Sequence, residues 1–151
     1  MSEQARIEDI LKREGIYVGP TKGVSMRPML RAGKDTVLIS PLNGRLKKYD
    51  VPLYKRGEDY VLHRVVEVRE ADYVICGDNC FFKEYGITDE QLVGVLSGFR
   101  RGKKYVAVDD RFYCLYARAW VAIYPLRRLL MRLRSAAARL FRLVFSKNNH
   151  L

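Results

Sequence analysis

Apolar and polar residues alternate through the middle of the chain, and this pattern predicts short β-strands. Apolar or alternating runs cover residues 36–39, 51–54, 60–68, 73–76, 92–97 and 105–108. Polar turn segments separate several of these runs, notably at 55–59 and 69–72. Closely spaced strands with hairpin-length connections favour a mainly β fold, in which an antiparallel sheet forms a small barrel or sandwich.

Helical spacing replaces this alternation at both ends of the chain. Near the start, Ile7, Ile10 and Leu11 predict a short amphipathic helix that ends near Gly15. The first fifteen residues contain four acidic side chains and no apolar run. We therefore expect no secretory signal peptide in this segment.

The C-terminal tail combines apolar and cationic positions. Residues 112–125 are apolar nearly all round, and up to residue 126 the run has 15 residues, fewer than the roughly 20 needed to cross a bilayer. We expect a buried or interfacial helix there, capped by Asp109 or Asp110 and kinked at Pro125. Beyond it, apolar residues recur at three- and four-residue steps: Leu126, Leu129, Leu130, Leu133, Ala137, Leu140, Phe141 and Val144. Arginines occupy the other positions, a pattern typical of a helix that lies in a membrane interface.

The charge distribution divides the chain at the same place. Residues 1–99 contain 15 basic and 15 acidic side chains, so the net charge of +11 lies entirely in residues 100–151. The length favours one compact domain, and we divide the chain into an N-terminal helix (1–16), a β domain (17–108) and a basic helical tail (109–151). We predict that residues 111–151 bind an anionic membrane surface. A helix docked on its own barrel or on a partner stays open, whereas the apolar face argues against nucleic-acid binding.

The cysteine pattern points to a reducing compartment. The three cysteines form no paired framework, and they do not combine with histidines into a metal-ligand cluster. We predict neither a metal nor a cofactor. Together with the tail, this favours peripheral membrane association from the cytoplasmic side, although full anchoring by the tail stays open.

Three short segments carry candidate chemistry. Residues 23–30, 62–66 and 76–79 contribute Ser25, His63 and Asp78. A hydroxyl becomes a nucleophile when an imidazole takes its proton, and a carboxylate can orient that imidazole. The only other histidine, His150, is the penultimate residue. Other interpretations are a turn or N-cap role for the serine, an ordinary strand histidine, and a turn aspartate.

The order and the residues of these segments resemble the conserved motifs of the type I signal peptidases. The match is to the archaeal and endoplasmic-reticulum members, at Ser25-Met26-Arg27-Pro28, His63-Arg64-Val65 and Gly77-Asp78-Asn79. The resemblance covers roughly residues 17 to 100. It implies a signal-peptidase/LexA-like fold, with Ser25 as nucleophile, His63 as general base and Asp78 as its acidic partner. Met26 and Pro28 are candidate substrate contacts, although Met26 also fits a core position.

Two departures from the family pattern stand out. Bacterial members often place a second serine two residues before the nucleophile, but here that residue is Gly23. An oxyanion hole would then depend on backbone N–H groups. The second departure is Pro52 at a predicted strand start, which indicates an edge strand or a bulge.

The resemblance implies a serine endopeptidase that cleaves a signal or leader peptide from a precursor protein through an acyl-enzyme. A catalytically silent relative that binds peptides or membranes is the alternative. A self-cleaving repressor of the LexA type would need a DNA-binding domain before the serine, and only about twenty residues precede it here.

Overall fold

The computed structural model describes residues 6–147, with side chains described to residue 142. The side chain of Val144 and all of His150 therefore lie outside the described part. The elements in chain order are α1 (Ile7–Glu14), β1 (Tyr17–Pro20), β2 (Asp35–Ser40), β3 (Pro52–Arg56), β4 (Asp59–Leu62), β5 (Arg64–Val68), β6 (Tyr73–Cys76), β7 (Glu84–Ile87), a short 3-10 helix (Asp89–Gln91), β8 (Leu92–Arg101), β9 (Lys104–Ala107), α2 (Arg111–Ala122) and α3 (Tyr124–Lys147).

The strands form two antiparallel sheets. The larger has the order β1-β2-β8-β3-β4, with β9 also paired to β8, and the smaller has the order β5-β6-β7. The sheet curls into a half-barrel, which confirms the prediction of a mainly β, antiparallel fold. Strand β8 is the longest and pairs with three neighbours, so it organises the larger sheet.

Alternating burial along the strands generates two apolar clusters. Val37 and Ile39 of β2 lie in the main cluster with Leu96 and Phe99 of β8. Leu11 of α1 packs into the same cluster, as the spacing of the N-terminal helix predicts. The second cluster lies against the smaller sheet and contains Leu46, Tyr54, Val65, Tyr73, Ile75 and Ile87. Burial of each large apolar side chain contributes about 1.5–3 kcal/mol.

The prediction of one continuous strand over 60–68 is wrong. The segment is two strands: β4 pairs with β3 in the larger sheet, and β5 pairs with β6 in the smaller one. His63 is the single residue between them, and both His63 and Arg64 are buried. Successive side chains of a regular strand point to opposite faces. Burial of both neighbours is possible here because the chain changes sheet at the histidine.

The irregularity expected at Pro52 is a bulge. Strand β3 lies between β8 and β4, so it is not an edge strand. Its pairing with β8 shifts register between Leu53 and Tyr54, one residue after the proline. The bulge accommodates a residue that has no N–H to donate to the ladder.

The helix boundaries follow local capping chemistry. Helix α1 ends at Gly15, which has a φ of 73° and supplies the left-handed C-terminal conformation. Asp110 caps α2 by accepting N–H bonds from Phe112 and Tyr113. The break between α2 and α3 lies at Ile123, two residues before Pro125. Within the described range, no helix combines the length and the apolar character required to span a bilayer.

Candidate active site

Ser25 lies in a run of turns and not in a regular helix. Residues 25–29 form turns, with one helical-type bond from the Leu30 N–H to the Met26 carbonyl at 2.9 Å. Pro28 has no N–H and cannot extend a helical ladder. The Ser25 carbonyl accepts the Asn79 N–H at 2.7 Å. The serine is therefore tied to the turn that carries the third predicted motif.

His63 is held by a carboxylate on one ring nitrogen. The side chain is 5 % exposed, and Nδ1 lies 2.8 Å from Oε1 of Glu84. The Tyr54 hydroxyl donates to the same oxygen at 3.0 Å and lies 3.2 Å from Nδ1. An ionised carboxylate accepts only, so Nδ1 carries the proton and Nε2 presents its lone pair. Burial lowers the pKa of His63 below its ordinary value, although the Glu84 carboxylate opposes this shift.

Gly77 lies where Ser25 and His63 approach each other. An ideal Cβ on Gly77 would be 2.7 Å from the Ser25 carbonyl oxygen and 3.0 Å from His63 Nε2. Cys80 Sγ would be 2.8 Å from the same point. The structure thus brings the serine backbone and the unprotonated imidazole nitrogen to either side of one glycine.

This close packing predicts the effect of adding a methyl group. Gly77→Ala should lower the free energy of unfolding by about 1–3 kcal/mol, because a contact with the Ser25 backbone cannot be relieved by a side-chain rotation. Urea denaturation measures the change. Cys80→Ala is the matched background, since it removes the thiol and leaves the backbone contact. Equal stability of Cys80→Ala and the Gly77→Ala/Cys80→Ala double variant would contradict this packing.

Asp78 does not make the hydrogen bond to His63 that the sequence predicts. Its side chain is 2 % exposed and accepts two bonds of 2.8 Å from the guanidinium of Arg64, which is fully buried. The Tyr116 hydroxyl also donates to Asp78, at 2.9 Å. A buried guanidinium requires a charged partner, and Asp78 supplies it. This corrects the prediction that Asp78 holds the imidazole.

Glu84 is the residue that the sequence analysis missed. It begins β7, a four-residue strand that the hydrophobic pattern does not predict because 84–87 contains a glutamate and a glycine. In the structure, Gly86 has a φ of 75°. Glu84 also lies 3.2 Å from the Arg56 guanidinium. The available signal was its position: it is the first carboxylate after Asp78 in the chain.

The two candidate substrate contacts have different environments. Met26 is 5 % exposed and belongs to the main apolar cluster, so its side chain packs in the core and not along a groove. Pro28 is exposed and lines a cavity of about 340 Å³ between α2 and the β8–β9 hairpin. Met29 and Phe99 lie on the same cavity wall.

Helix α2 and the first turn of α3 close the site from one side. Trp120 donates its indole N–H to the Asp78 carbonyl at 2.9 Å, and Arg127 donates to the same oxygen. Tyr124 donates to the Phe81 carbonyl at 2.6 Å. Helices α2 and α3 together are called the helical appendage. The turn that adjoins Ser25 is therefore held by the helical appendage as well as by the sheet.

The described residues support proton-transfer chemistry. Burial raises the pKa of the Cys80 thiol, which disfavours the thiolate, so Ser25 is the better candidate nucleophile. In the range 6–147, no group of three or more His, Cys, Asp or Glu side chains is arranged to hold a metal ion. Comparisons of the chain with protein-family models, curated proteins and solved structures found no match.

Proposed function

We propose that this chain is a serine endopeptidase of the signal-peptidase type, with a signal-peptidase/LexA-like fold, that cleaves a signal or leader peptide from a precursor. The observation that carries the proposal is the orientation of His63. Glu84 holds Nδ1 at 2.8 Å, and Nε2 lies beside the Ser25 backbone across Gly77. An oriented base beside the backbone of a half-buried serine supports a serine nucleophile, which requires a base close to its hydroxyl.

The proposed reaction follows from these positions. Ser25 Oγ attacks the scissile carbonyl while His63 Nε2 accepts its proton. The imidazolium then protonates the leaving amine, an acyl-enzyme remains on Ser25, and water releases it. The pKa of His63, lowered by burial, keeps the imidazole neutral near pH 7 and available as a base. Glu84 stabilises the imidazolium that forms transiently.

The oxyanion and the substrate involve other parts of the site. Gly23 has no hydroxyl to donate, so backbone N–H groups, including that of Ser25, would stabilise the tetrahedral intermediate. The substrate would be an extended peptide that pairs with an exposed strand edge. Small side chains next to the cut are what the signal-peptidase resemblance implies.

The proposal is tested by removing each reacting group. Wild type, Ser25→Ala and His63→Ala are incubated with a candidate leader peptide and vesicles, and cleavage is measured by mass spectrometry. We expect cleavage to fall by at least about a thousandfold in both variants, with circular dichroism unchanged. His150→Ala and Ser40→Ala are controls for each residue type. Equal cleavage by all variants would exclude Ser25 and His63 as the reacting groups.

A fluorophosphonate probe separates an enzyme from a silent relative. The alternative function is peptide or membrane binding without catalysis, and Gly23 favours it because one potential oxyanion donor is missing. Labelling of wild type but not of Ser25→Ala supports the peptidase. Folded wild type that binds peptide yet neither cleaves it nor reacts with the probe supports the silent relative.

A further inference from the structure

The helical appendage leaves a row of large apolar side chains exposed. On α2, Phe112 and Leu115 are exposed, the latter by 66 %. The row continues along α3 with Leu126, Leu129, Leu130, Leu133 and Leu140, each more than half exposed. A monomeric soluble protein rarely leaves so many neighbouring apolar side chains in water, and such a surface marks an interaction site.

These side chains form one face and not two. The Ile123 N–H donates to the Ala119 carbonyl and the Arg127 N–H donates to the Ile123 carbonyl, both at 3.0 Å. Helical i to i−4 bonds therefore run through the break between α2 and α3. At 100° per residue, positions 112, 115, 126, 129, 130, 133 and 140 fall within a sector of about 100°. We name these seven residues the apolar face.

The rest of the appendage is cationic or bound to the β domain. Residues 111–147 contain nine Lys or Arg and no Asp or Glu. On α2, Tyr113 and Tyr116 turn away from the apolar face and contact Arg64 and Asp78. Because that side of the helix is already occupied, the apolar face lies on the outside of the molecule.

We propose that the apolar face binds the surface of a membrane that contains anionic phospholipid. Charge complementarity decides between the possible occupants. A second copy would bring together two appendages of the same positive sign, whereas an anionic headgroup layer pairs with the arginines that border the face. The chain's own β domain does not cover the face, since the leucines are exposed. The inference is independent of whether Ser25 cleaves peptides.

The arrangement fixes which part of the domain lies nearest the bilayer. Leu115 is on the outer side of α2, while Tyr113 and Tyr116 reach the Arg64–Asp78 pair from its inner side. One helix, about 10 Å in diameter, separates the two sides. Residues 77–79, which adjoin Ser25, therefore lie close to the lipid surface when the appendage is bound.

Vesicle flotation of the full chain tests the proposal. We use vesicles of pure phosphatidylcholine and vesicles with equal amounts of phosphatidylcholine and phosphatidylglycerol. Each cation that reaches the headgroups strengthens binding about fivefold, so we expect at least about tenfold preference for the anionic vesicles. Leu130→Ser should weaken binding by about tenfold, because one buried leucine is lost from the interface.

The chain offers a matched control for that substitution. Val18 of β1 is 55 % exposed and Leu130 is 51 % exposed, but Val18 lies outside the appendage. Val18→Ser should float like wild type, and circular dichroism checks that both variants fold. Equal binding to the two vesicle types, or equal flotation of wild type and Leu130→Ser, would overturn the proposal. Absence of binding to either vesicle type would also overturn the proposal. This holds if the chain sediments as a monomer, and it holds equally if the chain sediments as a dimer that Leu130→Ser dissociates.

Discussion

Glu84→Gln is expected to lower kcat/KM by about 10²–10³ while leaving the β domain folded. Replacing the carboxylate that orients the histidine costs about 10⁴ in kcat in a Ser-His-Asp enzyme, because the tautomer and the imidazolium both lose their partner. The Glu84 side chain is 25 % exposed and lies near Arg56, so water and a cation already weaken its electrostatic effect on His63. We therefore expect a smaller loss of kcat/KM than for a buried aspartate.

The pH profile distinguishes this role from a structural one. Activity needs neutral His63, so kcat/KM falls as the pH drops through the pKa of the folded protein. Burial lowers the pKa of His63, and the wild-type acidic limb should lie below the ordinary value of 6.5. Because Glu84 opposes that shift, Glu84→Gln should move the limb to still lower pH. Glu67→Gln is the control, because Glu67 is an exposed residue of β5. If the acidic limb of the pH profile were the same in Glu84→Gln as in wild type, the orienting role of Glu84 would be refuted.

Asp78→Asn should lower the free energy of unfolding by about 3–5 kcal/mol, the largest stability effect that we expect in the chain. Asparagine is close to aspartate in volume, so no cavity forms. The cost arises because the Arg64 guanidinium, which is fully buried, loses its charged partner. The Tyr116 hydroxyl also loses its carboxylate acceptor.

Urea denaturation measures this loss against an exposed ion pair. Arg69 and Asp72 pair at 2.6 Å with Arg69 40 % exposed, so Asp72→Asn should cost at most about 1 kcal/mol. The Arg64→Met/Asp78→Asn double variant should be less destabilised than the sum of its single variants, because neither charge is then left alone. Equal midpoints for Asp78→Asn and Asp72→Asn would contradict the buried-pair interpretation.

Local pattern was sufficient for most elements of the fold. The alternating run at 36–39 became β2, and the helical spacing near Ile7 became α1, which ends at Gly15. Capping by Asp109 or Asp110 was also predicted, and Asp110 is the cap, since that chemistry depends only on nearby residues. The division of 60–68 into two strands was not, because a change of sheet depends on which distant strands pair on either side of His63.

The site was predictable in its residue types but not in its pairing. The resemblance implied Asp78 as the partner of the imidazole, and a sequence contains no distances that would have favoured Glu84. Asp78 follows Gly77 in the third motif, but its carboxylate accepts hydrogen bonds from Arg64, the residue after the histidine. Glu84 lies in a strand with little strand signal, so its contact with His63 is visible only in three dimensions.

The hydrogen bonds from α2 to Asp78 change where the chain can be cut for expression. A boundary after residue 108 matches the change in composition, but it would remove Tyr116 and Trp120. These residues donate to the buried carboxylate and to the backbone carbonyl of Asp78, respectively. A fragment that ends after the first turn of α3 retains those donors and Arg127, and discards most of the apolar face. Such a fragment should be soluble without lipid and should keep the serine turn intact.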